Sequence, residues 1–492
     1  MSILPRIVLL LGVLCLLCAC ASAPPLKRGV VHGAGEVAHC TQAFIDDDHR
    51  LAAAGIHDAQ TTPLAGYPYL RVDRLLASFT DTLTERAPRD AWLARAAALD
   101  AEARALEQAR LASPPSAADV RRLQQCRHTL HAALLADEAA WPSLLGAARV
   151  DDDYSKSRRV FGAYTITSQL VLAGVRRMQQ REMPQLLTTP ARDAVTGERY
   201  RLQAEPKRVS TAEPLLSWSY DALGIPLIDE TVLAELWRRH APQVVIPKGS
   251  NDDLPGTISS AAPPYVDSRE ATLYTHLTYT RFEARVLPQL VYTWWFAART
   301  AQGRIDPLAG ALDGLSWRVT LDDDGTPLAY DVAHNCGCYH MFFPSERLRA
   351  RPLADDHTEP PWIPFSIPRD WQGPPSLLLA SGSHYLQGLA PASRDRAHHS
   401  YQLQPYRNLR QLPAGTRRVS LFDSRGLVPG SARGERWFLW PMGVVAPGSM
   451  RQWGRQATAF VGRRHFDDAR LLERYFISAG STPAAAAASS RE

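Results

Sequence analysis

The sequence has no apolar run long enough to cross a bilayer as a helix: its N-terminal stretch, Ile7 to Leu17, holds about 11 residues where roughly 20 are needed. It also lacks any long basic run. Its 55 Lys+Arg and 50 Asp+Glu are spread along the chain and leave a net charge of +5, which speaks against a nucleic-acid partner. No internal repeat occurs, and collagen-like and coiled-coil compositions are excluded. The Gly-x-Ser-x-Gly elbow of serine hydrolases is missing too: Ser383 follows Gly382, but Tyr385 stands where a second glycine belongs. Gly33-Ala34-Gly35-Glu36-Val37-Ala38 matches a dinucleotide fingerprint only on paper, because no strand precedes it. What is present is the composition of a folded protein. Of 492 residues, 45% are hydrophobic and 21% charged, with 12 Trp, 16 Tyr and 13 Phe, enough for two or three domains.

Arg6, the apolar run and the small residues after it have the layout of a secretory signal peptide. At its end, Leu17-Cys18-Ala19-Cys20 resembles the lipobox of bacterial lipoproteins, a resemblance confined to the first stretch of the chain. It implies a signal peptide over 1–19 and a mature chain whose first residue, Cys20, carries the lipid that anchors it in the membrane. Ala21, where aspartate would signal inner-membrane retention, implies an outer-membrane address facing the periplasm. The alternative is an ordinary cleaved signal that releases a soluble periplasmic protein. With Cys15, Cys18 and Cys20 set aside, Cys40, Cys126, Cys336 and Cys338 remain. An even count in an oxidising compartment pairs Cys40 with Cys126 and Cys336 with Cys338.

The expected fold class is α+β, an N-terminal helical bundle followed by an antiparallel β-rich domain with long Pro/Gly/Arg-rich loops. Residues 20–37 form a tether and 38–184 a helical region, with helices expected over 70–84, 91–111, 117–137 and 158–180. Residues 185–242 connect, including one helix capped by Asp229 and stopped by Pro242. From 243 to 478 the period becomes two, and four strands form a meander: Leu273 to Phe282, one through Trp294, one through Trp317, and Pro327 to His340. Residues 479–492 form a disordered tail.

Chemistry concentrates in His334-Asn335-Cys336-Gly337-Cys338-Tyr339-His340. On a continuing strand, His334, Cys336, Cys338 and His340 share one side. Two imidazoles and two thiolates are a ligand set for zinc or copper, with His276 as a further ligand and Asp331 as an acceptor orienting an imidazole. A straight strand cannot wrap an ion, so this needs a bend at Gly337. A Cys336 to Cys338 disulfide needs the same bend, and unpaired thiols are the third state. Further on, Arg436, Arg455, Arg463 and Arg464 stand among tryptophans and could hold an anionic envelope component, or else stack and cap internally. Two functions follow. The first is an envelope-tethered binding or assembly factor; the alternative is a periplasmic metal- or thiol-dependent enzyme centred on His334 to His340.

Overall fold

The computed structural model describes residues 34–187, 197–203, 218–247, 249–260, 262–352, 358–368, 371, 373–392 and 399–480. The signal segment, Cys20 and residues 481–492 lie outside them.

Three long helices open the fold: α1 (Glu36–Ala53), α2 (Arg86–Gln108) and α3 (Ala117–Ala136). Ser116 and Asp119 form a reciprocal capping box that starts α3 where the Pro114-Pro115 break leaves off. Between α1 and α2 runs a hairpin of β1 (Thr62–Leu64) and β2 (Tyr67–Val72). Helices and hairpin share a core that includes Phe44, Tyr69, Trp92 and Leu123, and a Cys40–Cys126 disulfide ties α1 to α3. The helix expected over 70–84 is corrected to β2 followed by a single turn, Arg74–Ala77. All six residues of β2 are buried. A strand covered on both faces shows no alternation, so its apolar run reads like buried helix.

The second layer is a ten-stranded sheet. Its strands are β3 (Glu198–Leu202), β4 (Gln243–Ile246), β5 (Thr272–Phe282), β6 (Arg285–Arg299), β7 (Gly310–Leu321), β8 (Pro327–His334), β9 (Met341–Pro344), β10 (Pro375–Leu379), β11 (Leu386–Pro391) and β12 (His399–Pro405). Their spatial order is β9-β8-β7-β6-β5-β12-β3-β4-β10-β11. The expected meander is β5 to β8, paired antiparallel with Leu290 opposite Leu277 and Val319. The sheet as a whole is mixed, which corrects the antiparallel expectation: β12 runs parallel to both β5 and β3, and β10 parallel to β4. β3, from the expected connecting region, belongs to this same sheet. One face, bearing Val244, Tyr292, Trp294, Trp317, Phe343 and Leu377, forms a single core cluster, so the sheet curls around its own side chains.

Three further helices dress this sheet. Helix α4 (Lys156–Phe161) leads into α5 (Tyr164–Leu187), which packs on β11, and α6 (Glu230–His240) begins at the expected Asp229 cap and sets Trp237 edge-on against Tyr292. A short helix, α7 (Arg436–Leu439), precedes a turn at Trp440–Met442. Among the described residues no helix is long and apolar enough to cross a membrane.

Candidate functional site

β8 stops at His334 and does not run on to His340. The chain reverses instead. The His334 N–H donates to the Cys338 carbonyl at 2.9 Å and the Gly337 N–H to the His334 carbonyl at 2.7 Å, and β9 begins at Met341. The expectation of four side chains on one straight strand is therefore corrected, and the bend falls at Gly337, whose φ of +90° suits glycine. A Cβ at Gly337 would also collide with the Ala457 carbonyl oxygen.

The turn is held from behind. Asn335 is buried, donates its amide to the Trp294 carbonyl at 3.0 Å and accepts from the Ser316 hydroxyl at 2.9 Å. Buried Arg451 donates its backbone N–H to the Asn335 carbonyl and its Nε to the Cys336 carbonyl. These bonds fix the backbone that presents both cysteines.

Cys336 and Cys338 stand as free, half-buried thiols. They touch: the Cys338 N–H points at the Cys336 sulfur at 3.4 Å, and the Cys338 thiol hydrogen-bonds the same atom. Cys338 Sγ also lies 3.9 Å from Glu435 Oε1. The hydrogen bond to Cys336, then burial, push the Cys338 thiol well above its ordinary range. Burial likewise raises the Glu435 carboxyl, against the charges of Arg299, Arg433 and Arg451. Gly448 makes room here, since a Cβ at that position would strike Glu435 and Arg433.

Across the cavity stands an imidazole and carboxylate chain. His334 presents Nδ1 3.7 Å from Asp313 Oδ1, while Asp313 Oδ2 takes His384 Nδ1 at 2.8 Å. His384 Nε2 lies 3.5 Å from Asp253, which itself accepts from the Gly249, Ser250 and Gly382 N–H groups and the Ser381 hydroxyl. The His384 ring is fully buried and stacks flat on Phe296 at 4.0 Å. Burial alone would lift the Asp313 carboxyl, but the two imidazoles hold it far below the carboxylate range. Burial disfavours charge on His384, yet the flanking carboxylates of Asp253 and Asp313 raise it above its usual value. His334 goes the other way: burial lowers it despite Asp313, and its Nε2 has no hydrogen-bond partner among the described residues. The two carboxylates thus favour the charged form of His384, while burial favours the neutral form of His334.

Cys336, Cys338, Glu435, His334 and Asp313 line one cavity of about 200 Å³, together with Arg299, Tyr339, Tyr385 and, from α5, Val175, Met178 and Gln179. That is room for about seven waters at ~30 Å³ each. Such a space admits one end of a substrate and not a whole ligand, for which pockets of roughly 300–1,000 Å³ are usual. Tyr339 stacks on Tyr385 at 3.5 Å, and the Arg299 guanidinium covers Tyr385 at 4.4 Å. Leu312, Tyr339 and His384 all carry positive φ, near +55°, at or beside this cavity. Left-handed backbone costs an L-residue about 1–2 kcal/mol, and such strain gathers where geometry matters to function.

The other expected residues lie elsewhere or are already engaged. His340 lines the cavity's edge, with Nε2 2.8 Å from Asp331. Asp331 thus does orient an imidazole, and it is gripped in turn by Arg318. His276 sits between Tyr406 and Trp453, away from the turn. Among the described residues no group of three or more His, Cys, Asp or Glu side chains converges as metal ligands would. Of the four arginines read as an anion site, Arg455 pairs with Asp153, Arg463 with Asp152, and Arg464 with Glu359. Arg436 is exposed and covers the Trp437 ring. Sequence reasoning missed Asp313, Glu435 and Arg299. Isolated residues joined from distant segments leave no local signal. No family model, curated protein sequence or solved structure matches this chain.

Proposed function

We propose that the protein is an envelope-tethered, thiol-dependent enzyme that carries out thiol–disulfide exchange at Cys336 and Cys338, with the lipid on Cys20 as its tether at the periplasmic face of the outer membrane. What carries this reading is the contact of two unbridged thiols inside a cavity that also holds a carboxyl of raised pKa and an imidazole nitrogen without a partner among the described residues. His334 takes the proton of Cys336, whose thiolate accepts the Cys338 N–H and attacks one sulfur of a substrate disulfide. The first substrate thiolate leaves and takes that proton from His334. Glu435 then takes the proton of Cys338, which attacks Cys336 in the mixed disulfide, closing the Cys336–Cys338 bond, and the second substrate thiolate leaves with the proton from Glu435. Two protons and two electrons pass from the enzyme to the substrate. Asp313 and His384 keep His334 in place. The narrow cavity favours a disulfide at the end of a small molecule or on an extended peptide over one within a folded domain.

The test follows the tryptic peptide 319–347, which contains both cysteines, by mass after equilibration of the folded chain in glutathione buffers of graded potential. Reversible loss of two hydrogens, abolished by Cys336→Ser or Cys338→Ser, is the expected result. Thiols that stay reduced in excess glutathione disulfide overturn the proposal, as does stoichiometric zinc or copper in the purified protein. The tether is tested separately by the mass of the N-terminal peptide, with Cys20→Ala as control; an unmodified N-terminus rejects it.

An envelope-binding role comes second, since three of the four arginines proposed for it face carboxylates of the same chain.

A further inference from the structure

Seven large apolar side chains crowd onto one region of the surface. Val160 and Phe161 end α4, Ile166 and Leu170 lie one turn apart on α5, and Trp437, Phe438 and Trp440 belong to α7 and the turn after it. Phe161 is 84% exposed, Ile166 68%, Leu170 72% and Trp437 72%. Isolated exposed hydrophobes are ordinary on a folded protein, but a contiguous set of this size is not.

The contiguity is structural. The Ser155 N–H donates to the Gly443 carbonyl, Arg159 Nε donates to the Met442 carbonyl, and a Cβ on Gly162 would overlap Pro441. Helix α5 packs on the same 440–442 turn, with Leu172 and Met442 in one buried cluster beneath it. α4, the first turns of α5 and the α7 segment therefore move as one block. The inward side of α5 is satisfied by Val171, Leu172, Val175 and Met178, while Ile166, Leu170, Ala173 and Arg177 form the outward stripe at helical spacing.

Charge identifies the occupant. Residues 154–181 contain Lys156, Arg158, Arg159, Arg176, Arg177 and Arg181 and no aspartate or glutamate. Residues 436–450 contain Arg436 and again no acid. The acids that adjoin these segments are engaged or buried, Asp152 by Arg463, Asp153 by Arg455, Glu182 by Arg181 and Glu435 at the cavity, and an apolar face whose own charges are all basic, with tryptophans at its margin and an arginine laid over one of them, matches the boundary between headgroups and acyl chains of an anionic bilayer. A water-soluble protein partner would need many carboxylates set around an apolar centre. A bilayer supplies both layers by its nature.

We propose that this face, built from α4, the first half of α5 and the 436–442 segment, docks on the surface of an anionic lipid bilayer. Phe161, Ile166, Leu170, Trp437 and Trp440 enter the acyl boundary, and Arg177 and Arg436 stay at the phosphates. The contact is independent of any lipid on Cys20 and of the chemistry in the cavity.

The test uses the full chain with vesicles of phosphatidylcholine containing phosphatidylglycerol, a fraction of the acyl chains being brominated. Because the N-terminal apolar segment can itself bind vesicles, the readout is local: fluorescence quenching assigned by difference against Trp437→Phe and Trp440→Phe. Quenching of these two tryptophans with a blue shift is expected, together with loss of both signals and a fall of about tenfold or more in partitioning of the Phe161→Glu/Leu170→Glu variant. Both replaced side chains are exposed, and an unchanged far-ultraviolet spectrum separates lost docking from lost folding. Vesicle-bound protein whose Trp437 and Trp440 stay unquenched overturns the proposal. So does equal quenching in phosphatidylcholine alone, or a concentration-dependent dimer that the charged variant dissolves while lipid leaves the tryptophans unchanged.

Discussion

Cys40 and Cys126 lie 86 positions apart in sequence and are bridged; Cys336 and Cys338 lie two apart, in contact, and are not. The buried charges around the two pairs differ in the same sense. In the helical region Arg104 spans Asp47, Asp48 and Asp100, and Arg71 spans Asp100 and Glu107. From the β-layer, Arg410 reaches across to Asp58 and Glu102. Each guanidinium closes on carboxylates of this same chain. Around the turn, by contrast, the Asp313 network ends on an imidazole nitrogen that has no bond among the described residues and lines a cavity. Closed networks hold segments in register, whereas an open one keeps bonding capacity for something that arrives.

The sharpest way to test this contrast is to open the closed network. Arg410→Ala leaves Asp58 buried without its main counter-charge and should cost about 3–5 kcal/mol in urea unfolding. A loss under 1 kcal/mol would mean that the pair does not brace the two layers. The next effect sits in the turn and depends on pH. Burial, opposed by Asp331, lowers His340 from 6.5 to about 4. The unfolded chain therefore binds a proton below pH 6.5 that the folded chain refuses until about pH 4. The stability due to this group is complete above 6.5 and lost as the pH falls through that window, by about 3 kcal/mol. His340→Gln should flatten that limb; an unchanged slope assigns it to other groups. His384, raised by Asp253 and Asp313, has the opposite sign, its contribution fading as the pH climbs past its raised value.

Removing the closed disulfide with Cys40→Ser/Cys126→Ser should cost about 2–4 kcal/mol by thermal unfolding and leave the Cys336–Cys338 chemistry untouched. If thiol reactivity at the turn changed as well, the two regions would be coupled and the contrast would weaken. The smallest effect is at Gly337. Gly337→Ala combines a disfavoured φ with a collision at the Ala457 carbonyl, for about 1–3 kcal/mol. Its more telling result is separation of the thiols, read as two independent alkylation rates where the native pair reacts as a unit.

Much of the first layer was legible because α2 and α3 carry their own period and α3 its capping box, and the Asp229 cap is visible in the residues that surround it. The β5 to β8 meander shows in the alternation of Leu290, Tyr292, Trp294 and Phe296. What the sequence hides is partnership across distance. β12 lies between β5 and β3, more than a hundred residues from either, and parallel neighbours share no turn that would announce them. The arginines of the last segment were visible as charge, but their partners Asp152, Asp153 and Glu359 were not. The turn itself was recognisable by its sulfur and imidazole. Its shape depended on one dihedral at Gly337, and its working acids, Asp313 and Glu435, come from β7 and from the segment just before α7.

Helix α5 has two tenants. Val175, Met178 and Gln179 panel the inside of the cavity, and Ile166 and Leu170, earlier on the same rod, form the outer hull. A rod of 24 residues does not bend freely at one end without swinging the other. Re-engineering this molecule for a roomier chamber therefore cannot treat its outward plating as spare material: any substitution that re-seats α5 for one tenant shifts the footing of the other.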